Sequence, residues 1–231
     1  MGDIKERSIE PAKTVVVFSG GLDSTTLLHY VKSLGYEVYG LSFYYGQRHK
    51  KELEYAEYWA KKLCKEWKLI DLSFMKEIAS NSALTDYSKE VPHEHYTHEN
   101  QKITVVPNRN MVMLSIAIAW AENLGAEAVF FGPHSNDYAI YPDCRPEFVE
   151  ALDKASRLGT YNSIRVEAPF VSIKKWQIVK LGDSLGVDFS KTWSCYEGKE
   201  KHCGKCATCQ ERKEAFEIAR VKDPTEYEVV L

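Results

Sequence analysis

The residues most able to do chemistry stand near the start of the chain, in Ser19-Gly20-Gly21-Leu22-Asp23-Ser24-Thr25. Two adjacent glycines let a backbone approach a phosphate without a Cβ in the way. The β-branched run Thr14 to Phe18 precedes them, and an apolar-periodic stretch through Leu27, Leu28 and Val31 to Leu34 follows. That order is strand, Gly-rich turn, helix. The N–H groups at the head of such a helix face an anion, and the helix dipole favours negative charge there. Ser19, Ser24 and Thr25 add hydroxyl donors. Asp23 is out of place in an anion site unless it holds Mg²⁺ or caps the helix. No Gly-Lys-Ser/Thr follows, so this is not the Walker pattern, nor is it the dinucleotide fingerprint. An ordinary tight turn with a capping Asp is the plain alternative.

The second chemical cluster lies near the other end. Cys195, Cys203, Cys206 and Cys209 follow the spacing C-x₇-C-x₂-C-x₂-C. Four thiolates in so short a segment match tetrahedral zinc in a closed site, which leaves no position for substrate and gives the metal a structural role. His202 is a possible fourth ligand, but with four cysteines present it reads as a neighbour. Cys64 and Cys144 stand apart, as core or near-site residues. His93, His95 and His98 sit in a polar stretch and read as a solvated loop rather than a second metal site.

The elements that position these groups follow from periodicity. Glu37 to Phe43 is the second strand, His49 to Glu66 a charged helix, and Leu69 to Leu72 a third strand candidate. Ser80 to Thr104 has no periodicity and reads as a mobile loop or lid. Asn108 to Leu124 is apolar nearly all round, the mark of a helix buried on most sides. Ala128 to Phe131 is the fourth strand, Arg145 to Leu158 a helix, Ile164 to Pro169 the fifth strand, and Ile173 to Leu185 a further helix. A last helix spans Cys206 to Arg220. Strands alternating with helices predict a doubly wound, parallel five-stranded α/β sheet, with ligands at the carboxyl ends of the strands. The predicted division is a nucleotide-binding domain over 1–189 and a helical, zinc-binding tail over 190–231.

Composition narrows the classes. Of 231 residues, 30 are basic and 33 acidic, a net charge of −3, and no tract is strongly basic. This argues against a dedicated nucleic-acid binder, a zinc-stabilised binding module included. No apolar run approaches the ~18 residues that span a bilayer. Met1 to Lys13 lacks the apolar core of a signal peptide, so a cytoplasmic protein is expected. Clustered cysteines in such a reducing compartment hold metal more often than they form disulfides.

The loop resembles the SGGxDS phosphate loop (PP-loop) of the ATP-pyrophosphatase superfamily, the adenine-nucleotide α-hydrolase type of fold. From about Thr14 to about Pro224 the chain resembles the 7-cyano-7-deazaguanine synthase family. The motifs are FSGGLDSTT at 18–26, LSFYYGQRH at 41–49, SALT at 82–85, VPNRN at 106–110, NDYAIYPDCRPEF at 136–148 and TWSCY at 192–196, with the cysteine tail. Two departures are visible: the family's PGRN reads Pro107-Asn108-Arg109-Asn110 here, and its Lys-x-Glu reads Lys175-Trp176-Gln177.

The resemblance implies an ATP-dependent carbon–nitrogen ligase and homodimer. It would turn 7-carboxy-7-deazaguanine and ammonia into 7-cyano-7-deazaguanine, preQ0, on the way to queuosine or archaeosine. It implies ATP binding by Phe18, Ser19, Gly20, Gly21, Leu22, Asp23, Ser24, Thr25, Thr26, Leu27 and Leu28. Asp23 and Ser24 would take part in catalysis, Asp23 as a Mg²⁺ partner. Arg109 and Lys175 are candidate phosphate or carboxylate clamps. Tyr45, Gln47 and Arg48, after the second strand, and Asn136, Asp137, Tyr138, Asp143 and Arg145, after the fourth, are candidate substrate residues. A carboxylate among them could read a guanine-like edge. A tRNA-thiolating or amidating member of the superfamily is the rival, but the first needs free catalytic cysteines and the second often a glutaminase domain. With no room for that domain, free ammonia is the expected nitrogen source.

Overall fold

The apolar run at the head of the chain forms β1 (Lys13–Val17), and successive valines serve opposite faces of the sheet. Val15 belongs to one buried cluster and Val16 to the other. That is why β1 is apolar without alternation, as a strand covered on both sides must be. The computed structural model describes residues 10–79, 82–86, 88 and 104–228. His93, His95, His98 and most of the expected lid lie outside them.

The helix α1 (Leu22–Ser33) leads to β2 (Glu37–Tyr44), α2 (Lys51–Leu63), β3 (Glu66–Asp71) and the short α3 (Met75–Ile78). Then come α4 (Arg109–Leu124), β4 (Ala128–Phe130), α5 (Pro146–Gly159), β5 (Arg165–Glu167), α6 (Lys175–Ser184) and α7 (Ala207–Ala219). The strands form one five-stranded sheet in the order β3-β2-β1-β4-β5, every pair parallel. The core on one face joins α1, α2, α6 and α7 through Leu28, Ala56, Ile178 and Phe216. The other takes α4 and α5 through Leu114, Ala117 and Leu152. The predicted doubly wound α/β architecture is thus the observed one. The chain winds outward from β1 through β2 and β3, then restarts at β4 on the other side of β1. The crevice between β1 and β4 is the topological switch point, where ligands of such sheets bind.

Three expectations need correction. The helix expected to reach Glu66 stops at Leu63, and β3 starts at Glu66 rather than Leu69. Cys64 is already extended, and the N–H of Lys65 bonds the carbonyl of Val38 at 2.7 Å, which pulls the chain into the ladder early. The fifth strand is shorter than Ile164 to Pro169. Finally, α4 is not buried on most sides. Only Met113, Leu114, Ala117 and Ala121 are fully buried, while Ser115 and Ala119 are exposed, because one face packs on the sheet and no further described layer covers the other. Where the family has a glycine, Asn108 takes the left-handed conformation (φ 55°) before α4, a conformation Asn tolerates better than most residues. Ser82, Ala83, Leu84 and Thr85 are all buried. No described helix is long and apolar enough to cross a membrane.

Candidate active site

The loop between β1 and α1 lies at the switch point and holds its shape through its own side chains. Ser24 Oγ accepts from the N–H of Ser19 at 3.1 Å and donates to the carbonyl of Gly21 at 3.3 Å, while Ser19 Oγ accepts from the N–H of Gly21 at 3.3 Å. Gly20 has φ +86°, and a Cβ there would lie 2.2 Å from the carbonyl oxygen of Glu52 and 2.5 Å from the nitrogen of Ala56. Its carbonyl accepts from the N–H of Trp193 at 3.0 Å. Glycine at this position is therefore required twice over, for its backbone angle and for the approach of α2.

The loop opens onto a cavity of about 480 Å³. Phe18, Ser19, Gly21, Leu22, Asp23 and Ser24 line it. Gly20, Thr25, Thr26, Leu27 and Leu28 stand behind the wall: the Thr26 hydroxyl donates to the carbonyl of Leu22 at 2.9 Å, and both leucines are in the core. At the loop side of the cavity, Lys175 Nζ sits 3.2 Å from Asp23 Oδ2 and 2.9 Å from Glu211 Oε2. His134 Nε2 is 3.8 Å from Asp23, and its Nδ1 is 3.5 Å from Asp137. Burial pushes the Asp23 carboxyl up, but the Lys175 ammonium and His134 outweigh it and hold it below the usual range. For Asp137 the balance is reversed: burial outweighs the pull of His134 and Lys175 and raises its carboxyl. Burial would lower Lys175, yet Asp23 and Glu211 keep its ammonium form favoured well above the ordinary range. Gln177, where the family has Glu, accepts from the N–H of Lys174 at 2.9 Å and caps α6.

Arg109 occupies another part of the wall. It donates to the hydroxyl of Tyr45 at 2.8 Å and lies over that ring, 5.0 Å from its centroid. Burial is the main cause that pushes the Tyr45 phenol up to about 12. Tyr45, Asn136 and Asp137 line the cavity; Gln47, Arg48, Tyr138, Asp143 and Arg145 are not among its lining residues. Four of these side chains are engaged elsewhere, while the buried hydroxyl of Tyr138 has no hydrogen-bond partner among the described residues. Gln47 is fully buried and bridges the N–H of Tyr45, the carbonyl of Phe43 and Glu52 Oε1. Arg48 donates to the carbonyl of Asp86 at 2.7 Å. Asp143 Oδ2 accepts from the N–H of Asn110 at 2.8 Å and so satisfies the head of α4. Arg145 donates to the carbonyl of Tyr138 at 3.0 Å.

The four thiols converge. All four are buried, and their sulfurs lie within 4.8 Å of one another. Cys203 and Cys209 are 3.9 Å apart and Cys206 and Cys195 4.0 Å, close to the ~3.8 Å edge that a tetrahedron with ~2.3 Å metal–sulfur bonds requires. The N–H groups of Cys203 and Cys206 point at the sulfurs of Cys195 and Cys203, at 3.3 and 3.2 Å. This donor set fits a metal. His202 is not part of it: its Nε2 accepts from the N–H of Ser194 at 3.1 Å, and burial pushes the imidazole down to about 3. The tail is fastened to the body by Arg212, which is fully buried on α7. It donates to Thr192 Oγ1 at 2.8 Å and the carbonyl of Phe189 at 2.9 Å, with Asp223 at 3.5 Å as counter-charge.

Some residues at the site carried no sequence signal. Glu52 and Glu211 line the cavity without one, whereas Tyr141 and Tyr196, which also line it, stand within motifs singled out above without being named for a role. His134 could have been found, since it follows the Gly132-Pro133 that ends β4, at the carboxyl edge where ligands sit.

Comparison with known proteins agrees with this geometry. The family described as "Queuosine biosynthesis protein QueC" matches residues 13–220. A protein of Caldicellulosiruptor bescii named 7-cyano-7-deazaguanine synthase is 54% identical over 217 residues, 94% of this chain and 98% of its own. One of Colwellia psychrerythraea, named 7-cyano-7-deazaguanine synthase 1, is 50% identical over 216 residues, 94% of this chain and 99% of its own. Among solved structures, the NMN synthetase of Francisella tularensis is similar with a TM-score of 0.50 and 14% identity, over 92% of this chain and 79% of that one, a likeness of fold. With the family matched over residues 13–220 and about half of its residues shared with these relatives, the chain belongs to the QueC family of queuosine biosynthesis proteins.

Proposed function

We propose that the chain is an ATP-dependent synthase that converts 7-carboxy-7-deazaguanine and ammonia into 7-cyano-7-deazaguanine. The observation that carries this reading is the cavity itself, where the phosphate loop, Asp23 and Lys175 meet at the switch point in a chain 54% identical to a protein of that name. A carboxylate is a poor electrophile with a poor leaving group. Attack of its oxygen on the α-phosphorus of ATP expels pyrophosphate and leaves an acyl-adenylate, from which AMP departs readily. Ammonia then gives the amide and AMP. A second activation, at the amide oxygen, permits loss of the oxygen with AMP and of two protons, which leaves the nitrile.

The chain's part is to position and to stabilise charge. The N–H groups and hydroxyls of Ser19, Gly21 and Ser24 would bind the phosphates at the positive end of α1. Asp23 would hold Mg²⁺, which supplies neutralising charge at the phosphates. Lys175 then steadies Asp23 and faces the same anion. Asn136 and Asp137 line the wall on which the base would be read. Cys195, Cys203, Cys206 and Cys209 would hold one structural Zn²⁺, with residues 190–231 an appendage that braces the site. Action in the cytoplasm as a homodimer completes the proposal.

Incubation with ATP, Mg²⁺, ammonium and 7-carboxy-7-deazaguanine tests it, read by mass spectrometry. Nitrile and AMP are expected, and glutamine in place of ammonium should support neither. Amide that never proceeds to nitrile, or efficient glutamine use, would overturn the reading.

A further inference from the structure

The two fixed cations of the cavity differ in their counter-charges. Lys175 already touches two carboxylates, Asp23 at 3.2 Å and Glu211 at 2.9 Å. Arg109 touches none among the described residues: its hydrogen bond goes to the neutral phenol of Tyr45 at 2.8 Å. Asp143, the acid whose field reaches it, has Oδ2 committed to the N–H of Asn110 at 2.8 Å. A half-buried guanidinium without a partner anion is an unfavourable arrangement that a ligand carboxylate or phosphate would relieve.

The surroundings choose between those two anions. Among the described residues no hydrogen bond or ion pair joins Arg109 to the loop after β1 or to Lys175. With Tyr45 and Tyr141 beside it, Arg109 shares the cavity wall with Phe43, Met113 and Phe131, apolar side chains that suit an aromatic ring. The Tyr141 hydroxyl, 3.2 Å from Thr104 Oγ1, also lies within the reach of its charge. A planar fork matches a planar carboxylate in two parallel hydrogen bonds, as a lysine cannot.

We propose that Arg109, with the hydroxyls of Tyr45 and Tyr141 beside it, is the receptor for the carboxylate of the heteroaromatic acid. This rests on the acid proposed above as substrate. It makes Arg109 the residue that prefers the anionic acid to its neutral amide.

The test compares that acid with the amide of the same ring, by titration calorimetry and by kcat/KM, in the unmodified protein and in Arg109→Gln and Arg109→Lys. Arg109→Gln should weaken the acid about 100-fold, the worth of a lost charge-assisted pair, and the amide far less, with the KM for ATP unmoved. Arg109→Lys, which keeps the charge but not the fork, should recover part of the loss. Equal losses for acid and amide would make the residue structural, and a raised KM for ATP would put it on a phosphate; either result overturns the proposal. If Arg109→Gln does not fold, Arg109→Lys and Tyr45→Phe carry the same comparison, with the acid again expected to lose more than the amide. Calorimetry needs no turnover, so a protein that makes no nitrile but binds the acid through Arg109 would separate failure of the proposed reaction from failure of this site.

Discussion

The phosphate loop and the cysteine tail meet at one hydrogen bond, from the N–H of Trp193 to the carbonyl of Gly20, yet they are held by unlike means. The loop continues the central strand of a parallel sheet. Its form is fixed by the backbone angle of Gly20, by α2 pressed against it and by two serine hydroxyls. The stretch from Cys195 to Cys206 has no helix or strand, and its order centres on four sulfurs around one point. A site built from backbone needs no ligand to keep its shape. A site built from four converging thiols would need the cation proposed above to hold them together.

Loss of that cation should have the largest effect on stability. Metal–thiolate binding contributes on the order of 10 kcal/mol in zinc peptides. Cys206→Ser should therefore lose the metal, loosen the tail and lower activity indirectly through Trp193. Elemental analysis should give one zinc per chain for the unmodified protein and less than half an equivalent for the variant. Substrate should leave the thiolate spectrum of a cobalt-substituted sample unchanged, because the coordination is closed.

The rivet between the regions comes next. Arg212→Met would take the counter-charge from Asp223 and a donor from the hydroxyl of Thr192. Thr225, Tyr227 and Phe189 still bond those groups, so the loss should lie at the lower end of the about 3–5 kcal/mol that breaking a buried pair costs. Denaturant titration should show that loss with the phosphate loop's own residues untouched. Gly20→Ala attacks the loop side through both its backbone angle and its contact with α2, and about 2–4 kcal/mol should go. Unlike Cys206→Ser, it should leave the zinc content at one equivalent.

The smallest effect on stability, with the sharpest effect on activity, is expected at Asp23. Asp23→Ala leaves Lys175 its second partner, Glu211, so the melting temperature should move little while ATP-dependent turnover disappears. Its carboxyl is held below the ordinary aspartate range, so the stability it contributes is present above that range and is lost as the pH falls through the lower folded value. Asp23→Asn should flatten the acid limb of the stability profile in that window. A limb that stays as steep would place the charge pairing elsewhere.

Much of this was legible in the residues. Ser19 to Thr25 could be placed at the carboxyl end of a strand, from the order strand, two glycines, helix, and the four cysteines declared a common centre by spacing. That this end is the switch point followed only from the strand order. The register of β3 was not legible: Cys64 to Lys68 has a helix-like charge pattern, and only the pairing of Lys65 with Val38 decides the strand. Gln47 illustrates a different limit. Its polarity and place after β2 suggested a ligand contact, but its amide is satisfied by the turn it braces, which no one-dimensional pattern reveals. Lys175 could be picked out, whereas its partner Glu211 comes from α7 and meets it only through packing.

The pairing of Trp193 with Gly20 also bears on how the chain reaches its native state. β1 pairs with β2, which follows it closely in sequence, but its other neighbour, β4, comes from the middle of the chain, and the clasp on the loop from near its end. Contacts so distant along the chain make for slow folding, since loops must close before they are rewarded. The oldest segment to leave the ribosome is thus the last to acquire a finished binding geometry. Nucleotide would then recognise only a chain that has completed its search, and an amino-terminal fragment ending before Trp193 would be folded in part but blind to ATP.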